Sequence, residues 1–329
     1  MVIHNTILTD WTIDLFGISK NYKNKIALNN VTIKWEKGVL GLIGPNGAGK
    51  TTLIKILTTI LKPDTGYAKI LGKDVVNQSF EVRRRIGVLF ENPVFHPKLK
   101  VLPSLCWVGE LRGLSPEIAK HQVLELLEYF ELENTFNHEI KELSAGMRQK
   151  YGLIFATLGT PPLIILDEPT SNLDPDARRL YKMYVNRLVK ENKCNFLISS
   201  HVLGELDSLC NGFAFLFEGG VVESGKREEL KLKTPFQRFK LITSNLQSLI
   251  PIITKEEIMI ESEEQTEIIV RVKTYNELMK LDSHIKQLGF SEGFQIIPLE
   301  SGVEALYRQL SNQHRKRILK GGEKTSTHS

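Results

Sequence analysis

An all-apolar run, Val39-Leu-Gly-Leu-Ile43, leads into Gly44-Pro-Asn-Gly-Ala-Gly-Lys-Thr51 and then into apolar residues at helical spacing, and no other feature constrains the chain as much. The run reads as a central strand covered on both faces. Leu53, Ile54, Leu57, Ile60 and Leu61 fall on one helical face, and Pro63 and Gly66 end that helix. The stretch between fits G-x-x-x-x-G-K-S/T in the strand-to-helix setting that gives the pattern its meaning. Its glycines let successive backbone N–H groups turn inward around phosphate oxygens, and the helix N-terminus adds partial positive charge. Lys50 is placed to reach the β- and γ-phosphates, and the Thr51 hydroxyl to ligate Mg²⁺. A chance match in 329 residues is expected on the order of once in a hundred, which disfavours an ordinary glycine turn.

A second element is Leu163-Ile-Ile-Leu-Asp167-Glu168, an apolar strand ending in two adjacent carboxylates. Side chains alternate faces along a strand, so the two acids cannot do the same job. Asp167 suits the Mg²⁺ shell and Glu168 suits polarising an attacking water. Alone, such a pair is as often a solvated strand end; downstream of a phosphate loop that reading recedes.

Composition removes other classes. With 41% hydrophobic and 25% charged residues the chain has ordinary globular usage, which excludes a disordered or low-complexity protein. The longest uncharged stretch, Tyr151 to Leu166, is broken by Gly152, Gly159, Pro161 and Pro162 and cannot span a bilayer. The N-terminus lacks a signal-peptide pattern, so a cytoplasmic location is expected. Cys106, Cys194 and Cys210 form no CxxC pair and are expected as small core residues. Most of the net charge of +5 comes from His314 to Lys324, where five Lys and Arg face one Glu. That run is read as a solvated, disordered tail (314–329), with contact to anionic lipid as the alternative. Basic charge is not spread along a face with interleaved aromatics, so no nucleic-acid partner is expected.

Residues 12 to 35 alternate as half-buried antiparallel strands do. Helical patterning from Pro103 to Leu158 stops at Pro161 and Pro162, and apolar strands at 163–166 and 196–199 flank a helix around 180–189. This alternation predicts a parallel α/β sheet, closed by a hairpin at Glu218-Gly219-Gly220. The charged stretch ending at Pro235 is taken as the boundary of a first domain, 1–235. A small α+β domain, 236–313, follows, with strands at 236–243, 256–261, 267–273 and 293–298. Its helices are a short one ended by Pro251 and one over 275–289. Thr274 with Glu277, and Ser301 with Glu304, fit capping boxes for its last two helices. The β-α-β-β-α-β order suits a ferredoxin-like fold.

Further segments carry a family resemblance. Leu143-Ser-Ala-Gly-Met147 resembles the LSGGQ signature of ATP-binding cassette (ABC) ATPases, and Ser171-Asn-Leu-Asp174 their D-loop. His201 in ISSH matches the switch histidine, and Tyr22 the aromatic residue that stacks on adenine. Taken alone, Tyr22 reads as packing and His201 as a core histidine; their places between the other motifs shift both toward function. Six motifs in the family's order cover residues 20 to about 225.

The resemblance implies a P-loop NTPase fold of ABC type, with a parallel sheet core, an antiparallel β subdomain and a helical subdomain. It implies nucleotide binding by Tyr22, by the loop residues Gly44, Pro45, Asn46, Gly47, Ala48, Gly49, Lys50 and Thr51, and by Thr52. Glu168 and His201 become the catalytic pair, and Thr51 and Asp167 the Mg²⁺ ligands. Ser144 and Gly146 are kept for contact with a partner's γ-phosphate, while Ala145 and Met147 depart from the commonest Gly and Gln. Glu91 stands at the Q-loop position where Gln is usual, and takes over its metal-and-coupling role. The GMRQ variant, Glu91 and the C-terminal extension resemble the ATPase subunits of type-2 ABC exporters, drug-efflux systems among them. ATP and Mg²⁺ are thus the implied ligands. A second ABC subunit, most simply a second copy, and a separate multi-spanning permease are the implied partners, at the inner face of the membrane. A soluble ABC protein acting on ribosomes or DNA is disfavoured because one cassette is present without an inserted coiled coil. A non-hydrolysing regulator is disfavoured by Glu168.

Overall fold

The computed structural model describes residues 11–322 apart from 24, 192, 234–236, 244–245, 265, 274, 288–293 and 300–301; side chains at 275, 276, 298 and 315–322 are also outside the description. Two compact units divide at Ser224 and Gly225.

In the first unit the alternating N-terminal residues form β1 (Ile13–Tyr22) and β2 (Lys25–Trp35), followed by β3 (Val39–Ile43), α1 (Lys50–Leu57), β4 (Thr65–Ile70), β5 (Lys73–Asp74), α2 (Ser79–Arg83) and β6 (Ile86–Leu89). A helical segment follows, with α3 (Val101–Leu111), α4 (Pro116–Tyr129) and α5 (Ala145–Thr157). The chain then re-enters the sheet with β7 (Leu163–Asp167), α6 (Pro175–Lys190), β8 (Asn195–Ser200), α7 (Leu203–Leu206), β9 (Gly212–Phe217) and β10 (Gly220–Lys226).

Among the described residues β2, β1, β4 and β5 form an antiparallel sheet in that order, and β10, β9, β3, β8, β7 and β6 form the central sheet. In the latter β9, β3, β8, β7 and β6 run parallel. Its inner strands β3, β7, β8 and β9 are mostly apolar and buried because both faces are covered, while β10 at the edge carries Glu223 and Lys226. Leu163 and Ile165 of β7 join Leu40, Leu42 and Leu197 in a core shared with α1 and the antiparallel sheet. The alternate residues Ile164, Leu166, Phe196, Ile198 and Phe213 are equally buried on the opposite face. Three helix starts have a local cause: Ser115, Ser144 and Asp174 cap α4, α5 and α6 with side-chain oxygens, and Pro116 and Pro175 occupy the first turns of α4 and α6.

The second unit holds α8 (Arg227–Leu232), β11 (Gln237–Ile242), α9 (Leu246–Lys255), β12 (Met259–Glu263), β13 (Glu267–Val272), α10 (Tyr275–Gln287), β14 (Gln295–Pro298) and α11 (Gly302–Gly322). Its sheet order is β12, β13, β11, β14, with every described neighbour antiparallel. That is the split βαβ arrangement. Phe239, Leu241, Ile268 and Val270 turn one face of the sheet toward Leu249 and Ile253 of α9 and Leu281 and Ile285 of α10.

Three expectations are corrected. The stretch before Pro235 is not a boundary: it forms α8, whose Leu230 is wholly buried, so the division falls about ten residues earlier. Pro251 does not end a helix but lies inside α9, where the burial of Leu249 and Ile253 on either side outweighs the lost backbone hydrogen bond. The basic segment from His314 is not a disordered tail as far as Gly322, because α11 continues through it. Arg, Lys and Leu are good helix formers, and no breaker occurs before Gly321. Residues 323–329, Thr274 and Ser301 lie outside the described residues, so the capping boxes assigned to the latter two do too.

Candidate nucleotide site

The parallel sheet delivers three chain segments to one place. β3, β7 and β8 are adjacent, and the residues following their carboxyl ends are the glycine loop, Glu168 and His201. Open α/β sheets bind ligands outside the carboxyl ends of their strands.

Gly44 follows β3, and a Cβ there would lie 2.2 Å from the Leu216 carbonyl oxygen, so the backbone approach admits no side chain. Gly49 ends the loop in the left-handed region at φ 107°, immediately before α1. Pro45, Asn46, Gly47 and Ala48 form the turn between them, Ala48 donating its N–H to the Pro45 carbonyl, and Thr52 lies in the first turn of α1. Lys50 is only 6% exposed; its Nζ donates to the Gly44 carbonyl at 2.7 Å and reaches the Pro45 carbonyl at 3.4 Å. The same ammonium lies 3.3 Å from Glu168 Oε1.

Asp167 ends β7 fully buried. Thr51 donates its hydroxyl to Asp167 Oδ2 at 2.8 Å, and Ser199 donates to Oδ1 at 2.5 Å. The Ser199 hydroxyl also accepts the Glu168 N–H at 3.0 Å. Glu168 itself has φ 47°, the left-handed region that non-glycine residues rarely occupy. That turn sets its carboxylate between Lys50 and His201, whose Nδ1 lies 2.9 Å from Glu168 Oε2. Oε1 is buried and has no hydrogen-bond partner of good geometry among the described residues, although the Lys50 charge is near. A buried carboxylate oxygen of this kind is costly unless a ligand or water completes it.

Lys50, Thr51, Asp167, Glu168 and His201 are therefore joined by direct contacts. None of the described polar contacts joins Tyr22, Glu91, Ser144 or Asp174 to that group. Tyr22 is exposed at the end of β1, and Glu91 is exposed just beyond β6. Leu143 is buried, while Ser144 and Ala145 are exposed at the start of α5 and Gly146 and Met147 are half-buried. The Ser144 hydroxyl accepts the Met147 N–H at 3.2 Å. Asp174 caps α6, and the Ala177 N–H on its carboxylate holds it below the usual aspartate range.

Two supporting residues escaped the sequence reading. Ser199 bridges Asp167 and the Glu168 backbone, and Gln149, buried on α5, donates to the Pro169 carbonyl at 3.0 Å. The only available signal was a pair of serines replacing apolar residues at the end of an otherwise apolar strand.

A profile of the ABC transporter family matches residues 28–171. The chain is 34% identical over 236 residues to the daunorubicin resistance ATP-binding protein DrrA3 of Streptomyces coeruleorubidus, covering 71% of this chain and 74% of that one. The chain belongs to the ABC transporter ATP-binding family. It is 32% identical to the Nod factor export ATP-binding protein I of Cupriavidus pinatubonensis, over 66% of this chain and 67% of that protein. Among solved structures, an ABC transporter ATP-binding subunit aligns with a TM-score of 0.63 and 29% identity, over 67% of this chain and 92% of that one. A dimeric ATP-binding cassette bound to ADP and phosphate after hydrolysis aligns with a TM-score of 0.60 and 25% identity, over 65% of this chain and 98% of that one. The fold is that of an ABC ATPase, and the family's activity is ATP hydrolysis in transport. No helix among the described residues is long and apolar enough to cross a membrane.

Proposed function

We propose that two copies of this chain bind ATP between them and hydrolyse it to drive export through a separate membrane-spanning permease at the cytoplasmic face. The observation that carries the reading is the convergence of Lys50, Thr51, Asp167, Glu168 and His201 at the carboxyl ends of three adjacent strands. Lys50, now on the Gly44 carbonyl, is the cation for the β- and γ-phosphates, which the backbone N–H groups at the end of the glycine loop and the first turn of α1 cradle. Tyr22 stacks on the base.

The donor set fits Mg²⁺. Thr51 and Asp167 offer hard oxygen ligands from two elements already in contact. No group of three or more His, Cys, Asp or Glu capable of holding a metal occurs among the described residues. Mg²⁺ characteristically takes one or two protein oxygens and completes its shell with phosphate and water. When bound, it neutralises charge on phosphate oxygens. Ser199 fixes the Asp167 carboxylate, Glu168 accepts a proton from the attacking water, and His201 holds Glu168 in aim. Glu91 is proposed as a further metal and coupling group. Leu143 to Met147 and Asp174 are assigned to the partner copy's nucleotide.

Export is supported by the names of the drug-resistance and Nod factor relatives. Pairing is supported by the dimeric cassette neighbour. A permease partner is supported by Trp107 and Leu111, one turn apart on α3, which stay exposed with Val94 and Ile118. The basic run from His314 to Lys324 supports contact with anionic lipid headgroups.

The test separates binding from hydrolysis. Lys50→Ala should weaken nucleotide binding more than tenfold, since a hydrogen bond to a charged group is worth about 1.5–3 kcal/mol. Glu168→Gln should bind ATP as wild type does and hydrolyse it at least 10²-fold more slowly, the contribution of a general base. Unchanged affinity in the first, or near wild-type turnover in the second, would overturn the assignment.

A further inference from the structure

The segment after Glu168 runs to the cap of α6 as a strap held from outside along its length. Gln149 binds the Pro169 carbonyl, Asn172 O would lie 3.2 Å from a Cβ on Gly146, and Arg178 Nε donates to the Leu173 carbonyl at 3.0 Å. The strongest hold is on Thr170, which is 3% exposed and donates its hydroxyl to Glu205 Oε2 at 2.7 Å. The other oxygen of Glu205 accepts from Arg178 Nη1 at 3.1 Å. One carboxylate thus ties the strap both directly, at Thr170, and through the arginine that holds Leu173.

Glu205 lies four residues beyond His201, on α7, and a single helical turn of four residues does not hold itself together. It is anchored by the buried Leu203 and Leu206 and by Glu205. Between β8 and α7 the chain bends tightly, the Ser200 hydroxyl accepting the Val202 N–H at 3.0 Å. His201 sits in that bend with half its side chain exposed, so its aim at Glu168 is set by the backbone on either side. The contacts close a ring: Glu168, Pro169, Thr170, Glu205, α7, His201, and back to Glu168.

We propose that Glu205 is a positioning residue that locks the 168–174 strap to the turn bearing His201, so that Glu168, His201 and the Asp174 loop keep one register. This rests on the proposed role of Glu168. A charge-assisted hydrogen bond is suited to the task because it is short and directional. Removing Glu205 frees both ends of the ring, whereas the glycine loop stays in place and Lys50 keeps its contacts to the Gly44 and Pro45 carbonyls. Turnover should therefore fall while nucleotide affinity stays.

The test measures steady-state ATPase kinetics, nucleotide affinity and thermal midpoint for full-length wild type, Glu205→Ala, Glu205→Gln, Thr170→Val and the Glu205→Ala/Thr170→Val double variant, with Glu168→Gln alongside. Glu205→Ala should lower kcat at least tenfold with KM for ATP and nucleotide affinity within about twofold. Glu205→Gln, which keeps an acceptor for Thr170, should recover part of that loss. The double variant should be no slower than Glu205→Ala alone, because both substitutions cut the same link. Should Glu205→Ala fail to fold, Thr170→Val with Glu205 intact must still lower kcat at constant KM. Unchanged kcat in Glu205→Ala, additive losses, or losses that merely follow the folded fraction overturn the role of Glu205. Wild type without ATPase activity, or Glu168→Gln as active as wild type, overturns instead the reading of the site on which the inference stands.

Discussion

Asp167 and Glu168 are sequence neighbours with different surroundings, and that difference underlies the separate role proposed for each. Asp167 completes β7 with both oxygens taken by hydroxyls, from Thr51 and Ser199, which fix it for the Mg²⁺ role proposed for it. Glu168 leaves the strand at φ 47°, and the departure aims it at Lys50 and His201. Alternation along a strand was the reason for giving the two acids separate roles, but Glu168 lies beyond β7 and it is the left-handed turn that parts them. Ser199 could not be read, because which buried carboxylate a serine meets is decided by strand order. Tyr181 is the opposite case: wholly buried on α6, its hydroxyl has no hydrogen-bond partner among the described residues. Burial foremost, with the nearby Cys210 and Glu205, pushes that hydroxyl's pKa well above the ordinary tyrosine value. An unpaired buried polar atom costs about 1–3 kcal/mol, so Tyr181→Phe should leave stability unchanged or raise it by up to about 1 kcal/mol. Chemical denaturation would check this, and a loss beyond about 1 kcal/mol would mean the hydroxyl is paired.

At the scale of elements, the strand, loop and helix around Gly44 to Thr51 were legible because every signal there is local in sequence. The closeness of neighbouring elements was not. Gly87 on β6 looked like any strand glycine, yet a Cβ at that position would lie 1.8 Å from the Ala156 carbonyl of α5. Gly87→Ala must push a helix off the sheet, and overpacking of this kind costs about 1–3 kcal/mol, to be read as a lower denaturation midpoint. A neutral effect would mean that α5 sits farther away. In the small unit Glu261 of β12 takes hydrogen bonds from Arg238 on β11 and Arg271 on β13. Partial burial raises its pKa, and the two arginines more than reverse that, leaving it below the ordinary glutamate value. A depressed folded pKa stabilises above the unfolded value, about 4.3, and that contribution disappears as pH falls through the folded value. Acid titration of Glu261→Gln should therefore show a shallower loss of stability below about pH 4.3 than wild type; equal slopes would mean the arginine pairs do not persist in solution.

The whole molecule divides into an ABC ATPase unit and a smaller split βαβ unit, each with its own apolar core. The β-α-β-β-α-β order of the second was readable from periodicity, but its edges were not. The charge of Lys226 to Lys233 resembles a linker until the burial of Leu230 is known, and a basic run such as that after Gln313 reads alike whether solvated or helical. The first unit carries half of a proposed shared site: the glycine loop and Glu168 on one copy, Ser144 and Asp174 offered to the other. On that proposal, pairing depends on ATP and hydrolysis ends it. Sedimentation of Glu168→Gln with and without Mg-ATP tests this most directly. A shift from monomer to dimer on adding Mg-ATP, persisting because the nucleotide is not hydrolysed, is the predicted result; an ATP-bound, inactive variant that stays monomeric would contradict self-pairing.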